Sequence, residues 1–255
     1  LCLTAAILMT AAASMAQNHL PPVFGADTAL FRKDIMTRSY MTPKKILWTS
    51  SATAVQNAEL LLKPNTGQAD IFGEGMCRLT NNGNDQASLI LDFGHELHGG
   101  FKLVISSCSP LQTPQVRLRF GESVSETCTE LNTTKSIAET GSKADVNLKA
   151  NTATNDHAIR DMVLTVPFYG QMEVGSTGYR FVRIDLLTPG QTINLKEATA
   201  ILRYRDIPYV GSFRCSDQRL NDIWMTGAYT VHLNMQEYIW DGVKRDRLVW
   251  LGDMH

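Results

Sequence analysis

Residues 116–122 read VRLRFGE, with Val116, Leu118 and Phe120 alternating with Arg117 and Arg119. A period of two with apolar residues on one side and charged residues on the other describes a strand with one buried and one wet face. That pattern belongs to antiparallel sheets, and its neighbours repeat it. Upstream, residues 88–107, SLILDFGHELHGGFKLVISS, carry two apolar strand-like runs around His98, Gly99 and Gly100, and predict a hairpin turning at those glycines. Downstream, DMVLTVPF from Asp161, YRFVRIDLL from Tyr179 and INLKEATAILRY from Ile193 resume the rhythm. Short strands punctuated by Gly, Pro and Asn, with no helical stretch among them, predict a mostly β fold built as an antiparallel β-sandwich.

The flanks of this block read less clearly. Residues 18–84 hold short apolar runs broken by Gly67, Gly73, Gly75 and Gly83, which predict a few short strands and loops. Trp48, beside Ile46 and Leu47, reads as a core residue. Residues 122–157 are rich in Ser, Thr and Asn and predict an insertion. Residues 1–16 form an apolar run with Ser14 and Ala16 before Gln17, the pattern of a cleaved secretory signal. The run is shorter than the roughly 20 residues of a spanning helix. Cys2 precedes it, which argues against a lipid anchor, so export with no membrane anchor after cleavage is expected.

Composition narrows the partners. A net charge of −1 offers no basic footprint for nucleic acid. Beyond Cys2, Cys77, Cys108, Cys128 and Cys215 match no zinc spacing; free thiols and a Cys108–Cys128 loop closure are both open. His95 and His98 flank Glu96 as HELH, which is not the helical HExxH zinc arrangement. Neither a phosphate-cradling glycine motif nor a serine nucleophile elbow occurs, so no metal and no cofactor are expected. Asn132–Thr134 match a glycosylation acceptor.

At about residue 208 the character changes. Ser216 or Asp217 offers an N-cap, and Leu220, Ile223, Trp224, Gly227, Ala228, Val231, Met235 and Tyr238 follow the spacing of one helix face, predicting a helix to about Trp240. The domains are expected as a signal at 1–16, a sandwich region at 17–208 and the start of a helical domain at 209–255. Directly after the helix, residues 241–253, DGVKRDRLVWLGD, hold Asp241, Asp246 and Asp253, the bases Lys244, Arg245 and Arg247, and Trp250. By residue type alone this is a solvated charged loop whose ion pairs contribute little. Neighbouring arginines favour ionised Asp246, whereas an apolar pocket beside Trp250 favours the protonated form that a general acid needs.

The order of these residues adds information. Residues 216–255, SDQRLNDIWMTGAYTVHLNMQEYIWDGVKRDRLVWLGDMH, resemble the opening of the catalytic domain of the inverting bacterial α-L-rhamnosidases. Residues 90–103 (ILDFGHELHGGFKL), 116–122 and 177–187 (TGYRFVRIDLL) are similar to the β-sandwich ahead of that domain. The resemblance implies a glycoside hydrolase with its active site in an (α/α)6 barrel, of which the chain holds only the first helix. Its substrate would be a rhamnose-containing glycan or glycoside. Asp246 falls at the position of the general acid, where many members carry Glu. Asp241 and Asp253 match carboxylates that hydrogen-bond the sugar hydroxyls, and Arg245 and Trp250 match pocket-lining positions. The family's general base lies beyond His255, so the chain on its own is expected to be inactive. Another inverting glycosidase of the same plan and a non-catalytic carbohydrate-binding sandwich are the alternatives. The oligomeric state is not legible.

Overall fold

The computed structural model describes Val23 and residues 34–70, 75–129, 161–244 and 247–254. The expected signal at 1–16, the glycosylation triplet and most of the expected insertion lie outside the described residues. Nine strands follow in order: β1 (Met36–Met41), β2 (Lys45–Thr49), β3 (Val55–Gln56), β4 (Cys77–Asn81), β5 (Ser88–Ser109), β6 (Gln115–Gly121), β7 (Asp161–Thr165), β8 (Gly170–Leu186) and β9 (Gln191–Arg205). Among the described residues two α-helices accompany them, α1 (Val124–Cys128) and α2 (Gln218–Asn234). The chain is mostly β and its pairings are antiparallel, as the alternating pattern predicts.

The strands join in the order β3-β4-β9-β5-β8-β6-β7, with β1 beside β9 and β2 beside β5. The long strands change neighbours along their length. One edge of β5 pairs with β2 at residues 89–92 and with β9 at 99–109, while β9 pairs with β4 at 191–195 and β1 at 200–205. Strands that pass between layers at bulges turn one hydrogen-bonded network into two faces over a common core. That core is one cluster, in which Leu89, Leu91, Leu118, Phe120, Val182 and Ile184 meet Leu79, Leu103, Leu195 and Ala200.

Residues 88–107 do not form a hairpin. They run straight through as β5, and the pairing with β8 is interrupted between Asp92 and Leu97 instead of reversing direction. Gly94 and Gly99 have φ of +86° and +148°; a Cβ on Gly99 would sit 1.8 Å from the Ile201 carbonyl oxygen. The glycines are there for a bulge and for close approach of two backbones. The wet face expected on β6 is also partly dry. Arg119 is buried and reaches Asp185 at 3.0 Å, Asp185 also accepts from Arg183 at 2.8 Å, and Arg117 pairs with Asp161 at 2.6 Å.

Three local features correct or complete the reading of the sequence. Trp48 is 44% exposed, with the Arg183 guanidinium 5.5 Å from its ring centre, because β2 lies along an open face. Residues 122–129, the first part of the expected insertion, carry α1, which Ser123 caps by accepting from Glu126 N. The Cys108–Cys128 closure does not form. All four described cysteines are free, and burial pushes the thiols of Cys77 and Cys108 up to about 12 and about 11, which makes them poor nucleophiles.

Helix α2 starts where the cap predicts, Asp217 Oδ1 accepting from Arg219 N at 2.9 Å. It stops six residues before Trp240, at Asn234, because the backbone turns in to meet the sheet. Gln236 is buried and donates to the carbonyls of Leu233 and Arg203, and Arg205 of β9 donates to the carbonyls of Gln236 and Glu237 at 2.7 and 3.0 Å.

Candidate active site

The turn after α2 delivers Trp240 and Asp241 into a loop that closes on itself. Asp241 N donates to the Leu248 carbonyl at 2.9 Å, Leu248 N returns a bond to Asp241 Oδ1 at 3.0 Å, and Trp250 Nε1 donates to Asp241 Oδ2 at 3.1 Å. Both carboxylate oxygens are engaged, so Asp241 holds the two ends of the segment 241–250 together and orients the Trp250 ring, which is 55% exposed. A half-open indole whose polar edge is fixed leaves part of its apolar face uncovered.

The expected site residues therefore divide. The structure brings Asp241 and Trp250 into direct contact. Arg245 and Asp246 lie outside the described residues. Asp253 falls in a short 3₁₀ turn, Leu251–Met254.

Beneath the loop is a set of contacts that residue types alone did not mark. Val243 and Lys244 are buried. A Cβ on Gly178 of β8 would lie 2.4 Å from Val243 Cγ2, so the loop fits against the sheet only because position 178 has no side chain. Lys244 Nζ donates to Glu126 Oε1 of α1 and lies 3.4 Å from Glu122 Oε2. Arg247, at φ +50°, donates Nη2 to the Ser176 carbonyl at 2.6 Å and Nε to the Val243 carbonyl at 3.2 Å. Its guanidinium stands 5.0 Å from the Trp240 ring centre, and that ring meets His98 edge-on at 5.3 Å.

His98 is fully buried beside the Val243 backbone and the Trp240 ring. Burial, with Arg247 and Arg203 nearby, pushes it down to about 3, so it is a neutral ring at physiological pH. Glu96, in the β5 bulge, is pushed the other way, to about 7, by burial and by Glu122 beside it. The phrase FGHELHGG did signal this region, but as a turn.

Among the described residues no group of three or more His, Cys, Asp or Glu side chains is arranged to hold a metal ion. A polar cleft of about 290 Å³ lies at the other end of β5 and β9, lined by Gln56, Asn57, Arg78, Ser106 and Asn194 among others. It contains none of the expected site residues.

Residues 208–255 match the family described as the bacterial α-L-rhamnosidase six-hairpin glycosidase domain. No curated protein matches the chain. Among solved structures, a rhamnosidase from Klebsiella oxytoca with rhamnose bound superposes with a TM-score of 0.57 at 19% identity, over 86% of this chain and 39% of that one. The rhamnosidase of family GH78 from Bacillus sp. GL1 gives a TM-score of 0.51 at 18% identity, over 79% of this chain and 18% of that one. The chain thus spans well under half the length of either. The family match begins where the composition changes, and a coverage of 86% takes in the sheet. Residues 208–255 are thus similar to that glycosidase domain, and the sheet ahead of them shares its fold with the two solved rhamnosidases.

Proposed function

We propose that the chain is the N-terminal part of an exported α-L-rhamnosidase that hydrolyses terminal α-linked L-rhamnosides with inversion. The observation that carries this reading is the family match over residues 208–255, which contains the whole of DGVKRDRLVWLGD. In this reading residues 17–208 are the sandwich and 209–255 open an (α/α)6 barrel. The exposed stripe of α2, with Leu220, Ile223 and Val231 uncovered, supports it, since a barrel helix has a face for its neighbours to cover.

Asp246 acts as the general acid that protonates the leaving glycosidic oxygen. Inversion needs a second carboxylate roughly 6.5–9.5 Å away, activating water on the opposite side of the sugar; that base lies beyond His255. Asp241, Arg245, Trp250 and Asp253 bind the rhamnose. The Asp241–Trp250 bond supports their share of the role, because a pocket wall must be rigid before the substrate arrives.

The test is Asp246→Asn in the full-length protein. Turnover of rhamnosides with poor leaving groups should fall by about a hundredfold or more, with binding preserved; a near-normal rate would sink the acid assignment. The 255-residue chain alone should release no rhamnose from an aryl rhamnoside. The apolar run at 1–16 supports export, and a mature protein beginning at Gln17 by mass spectrometry would establish cleavage.

A further inference from the structure

The polar cleft on the sheet is floored by a row of side chains that crosses β3, β4, β9 and β5. Gln56 stands opposite Arg78, Arg78 opposite Asn194, and Asn194 opposite Ser107. Partners in antiparallel strands share a face, so these side chains lie next to one another over three inter-strand spacings, about 14 Å in all. Their neighbours along the strands, Cys77, Leu79, Ile193 and Leu195, belong to the core. A register shift between Ile105 and Ser107 adds a second hydroxyl, that of the buried Ser106, to the cleft. Asn194 Nδ2 donates to Ser107 Oγ at 2.8 Å, which orients the amide and leaves its oxygen able to accept.

Arg78 is the exception among the arginines of the described strands. Arg38, Arg117, Arg119, Arg180, Arg183 and Arg203 each hold a carboxylate, and Arg205 holds the carbonyls of Gln236 and Glu237. Arg78 is exposed and its guanidinium has no hydrogen bond or ion pair among the described residues. Its cross-strand neighbours, Gln56 and Asn194, are neutral, and no other charged residue among those described lines the cleft. The row therefore presents one uncompensated positive charge between two amides.

We propose that this cleft binds an acidic saccharide, with Arg78 holding a sugar carboxylate and Gln56, Asn194 and the serine pair holding the hydroxyls around it. A guanidinium offers a planar fork of donors that matches a carboxylate in two parallel bonds. Amides and hydroxyls both donate and accept, as sugar hydroxyls do, so each can pair with either role. The volume of about 290 Å³ is at the small end of ligand pockets, which run from about 300 to 1,000 Å³, and suits one sugar unit with its neighbours laid along the row. No aromatic ring lines the cleft among the described residues, so a neutral sugar would gain nothing from stacking, and charge must supply the affinity. One guanidinium in a chain of net charge −1 is also no surface for a polyphosphate. The proposal does not rest on the hydrolase reading, since every residue it uses belongs to the sheet.

The experiment is calorimetric titration of the full-length protein at low ionic strength with trigalacturonate, with its methyl ester, which keeps the hydroxyls and loses the charge, and with inorganic phosphate. Trigalacturonate should bind, and more weakly as salt is added. Arg78→Ala should weaken it by about tenfold or more, as should the methyl ester, and Asn194→Ala by about fivefold. Arg78→Lys, which keeps the charge and loses the fork, should fall between wild type and Arg78→Ala. Unchanged thermal unfolding of Arg78→Ala, an exposed position, would show that the loss belongs to the site. Absence of binding at millimolar trigalacturonate, or binding that Arg78→Ala leaves intact, would overturn the proposal. Equal binding of the methyl ester would remove the acidic class, and phosphate that displaces the trimer at equal concentration would reduce the cleft to a general anion site; either result overturns the proposal as stated. Release of rhamnose should be the same in Arg78→Ala as in wild type, so the binding result and the rhamnosidase reading stand or fall separately.

Discussion

The sheet and helix α2 are both patterned with apolar residues at the period of their secondary structure, yet they meet different fates. In β6 the apolar side is sealed, Leu118 being 0% exposed between β8 and the facing layer, whereas on α2 Ile223 and Val231 are 58% and 59% exposed. What fixes α2 is instead its C-terminal end, through Gln236, Glu237 and Arg205, and the loop that follows, through Val243, Lys244 and Arg247. Periodicity reports which face is apolar; it does not report what covers that face. In the sheet the hydrophobic effect sets position, and beyond residue 208 a few directional contacts do.

Substitutions at matched residue types test that contrast. Gly99→Ala puts a methyl group into the Ile201 carbonyl at a φ that side chains avoid, so the strands must part. A loss of about 4 kcal/mol or more is expected by chemical denaturation. Gly227→Ala on α2 meets open space and should raise stability by up to about 1 kcal/mol through helix propensity. If the two behave alike, the contrast fails. Leu118→Ala should cost about 3 kcal/mol, while Ile223→Ala should cost under about 0.5 kcal/mol in this chain. Gly178→Ala lies between the regions. It drives a methyl group into Val243, should cost about 1–3 kcal/mol as overpacking, and should perturb Trp240 fluorescence as the loop shifts.

How much of this was legible follows the same division. Strands such as β6 were readable because one side is buried, and burial on one side imposes alternation on the residues themselves. The start of α2 was readable because Asp217 acts on its own helix. The passage through Gly99 and Gly100 was not, since the glycine that permits a turn also permits close approach, and only Ile201, about a hundred residues later, decides between them. Arg119 looked solvated because Asp185 is distant in sequence. At the site, Asp241 and Trp250 were named from their order in the motif, and the structure joins them. The sheet-side anchors were missed for the reason Arg119 was: Lys244 finds its partners more than a hundred residues upstream, in a segment read as an insertion.

The smallest expected effect is on the pH dependence of stability, where a buried and a half-buried group under the loop oppose each other. His98 is faced by Arg247, Arg203 and Glu237 and by the Trp240 ring. Its folded value of about 3 lies below the ordinary 6.5, so the unfolded chain binds the extra proton. The stability it contributes is present above about 6.5 and is lost as pH falls toward 3. Glu96 is faced by Glu122, Glu126, Lys244 and Tyr229. Its folded value of about 7 lies above the ordinary 4.5, so the folded chain holds the extra proton. That contribution is present below about 4.5 and is lost as pH rises through 7. Between 4.5 and 6.5 the two slopes, each at most about 1.4 kcal/mol per pH unit, have opposite signs and largely cancel. Glu96→Gln should unmask a stability that rises with pH across this window, and His98→Asn one that falls, both measured by thermal unfolding in a buffer series. Parallel slopes in the two variants would mean that neither group governs this part of the titration. The anchoring of the loop would then owe nothing to the protonation of Glu96 and would rest on Lys244, Val243 and Arg247.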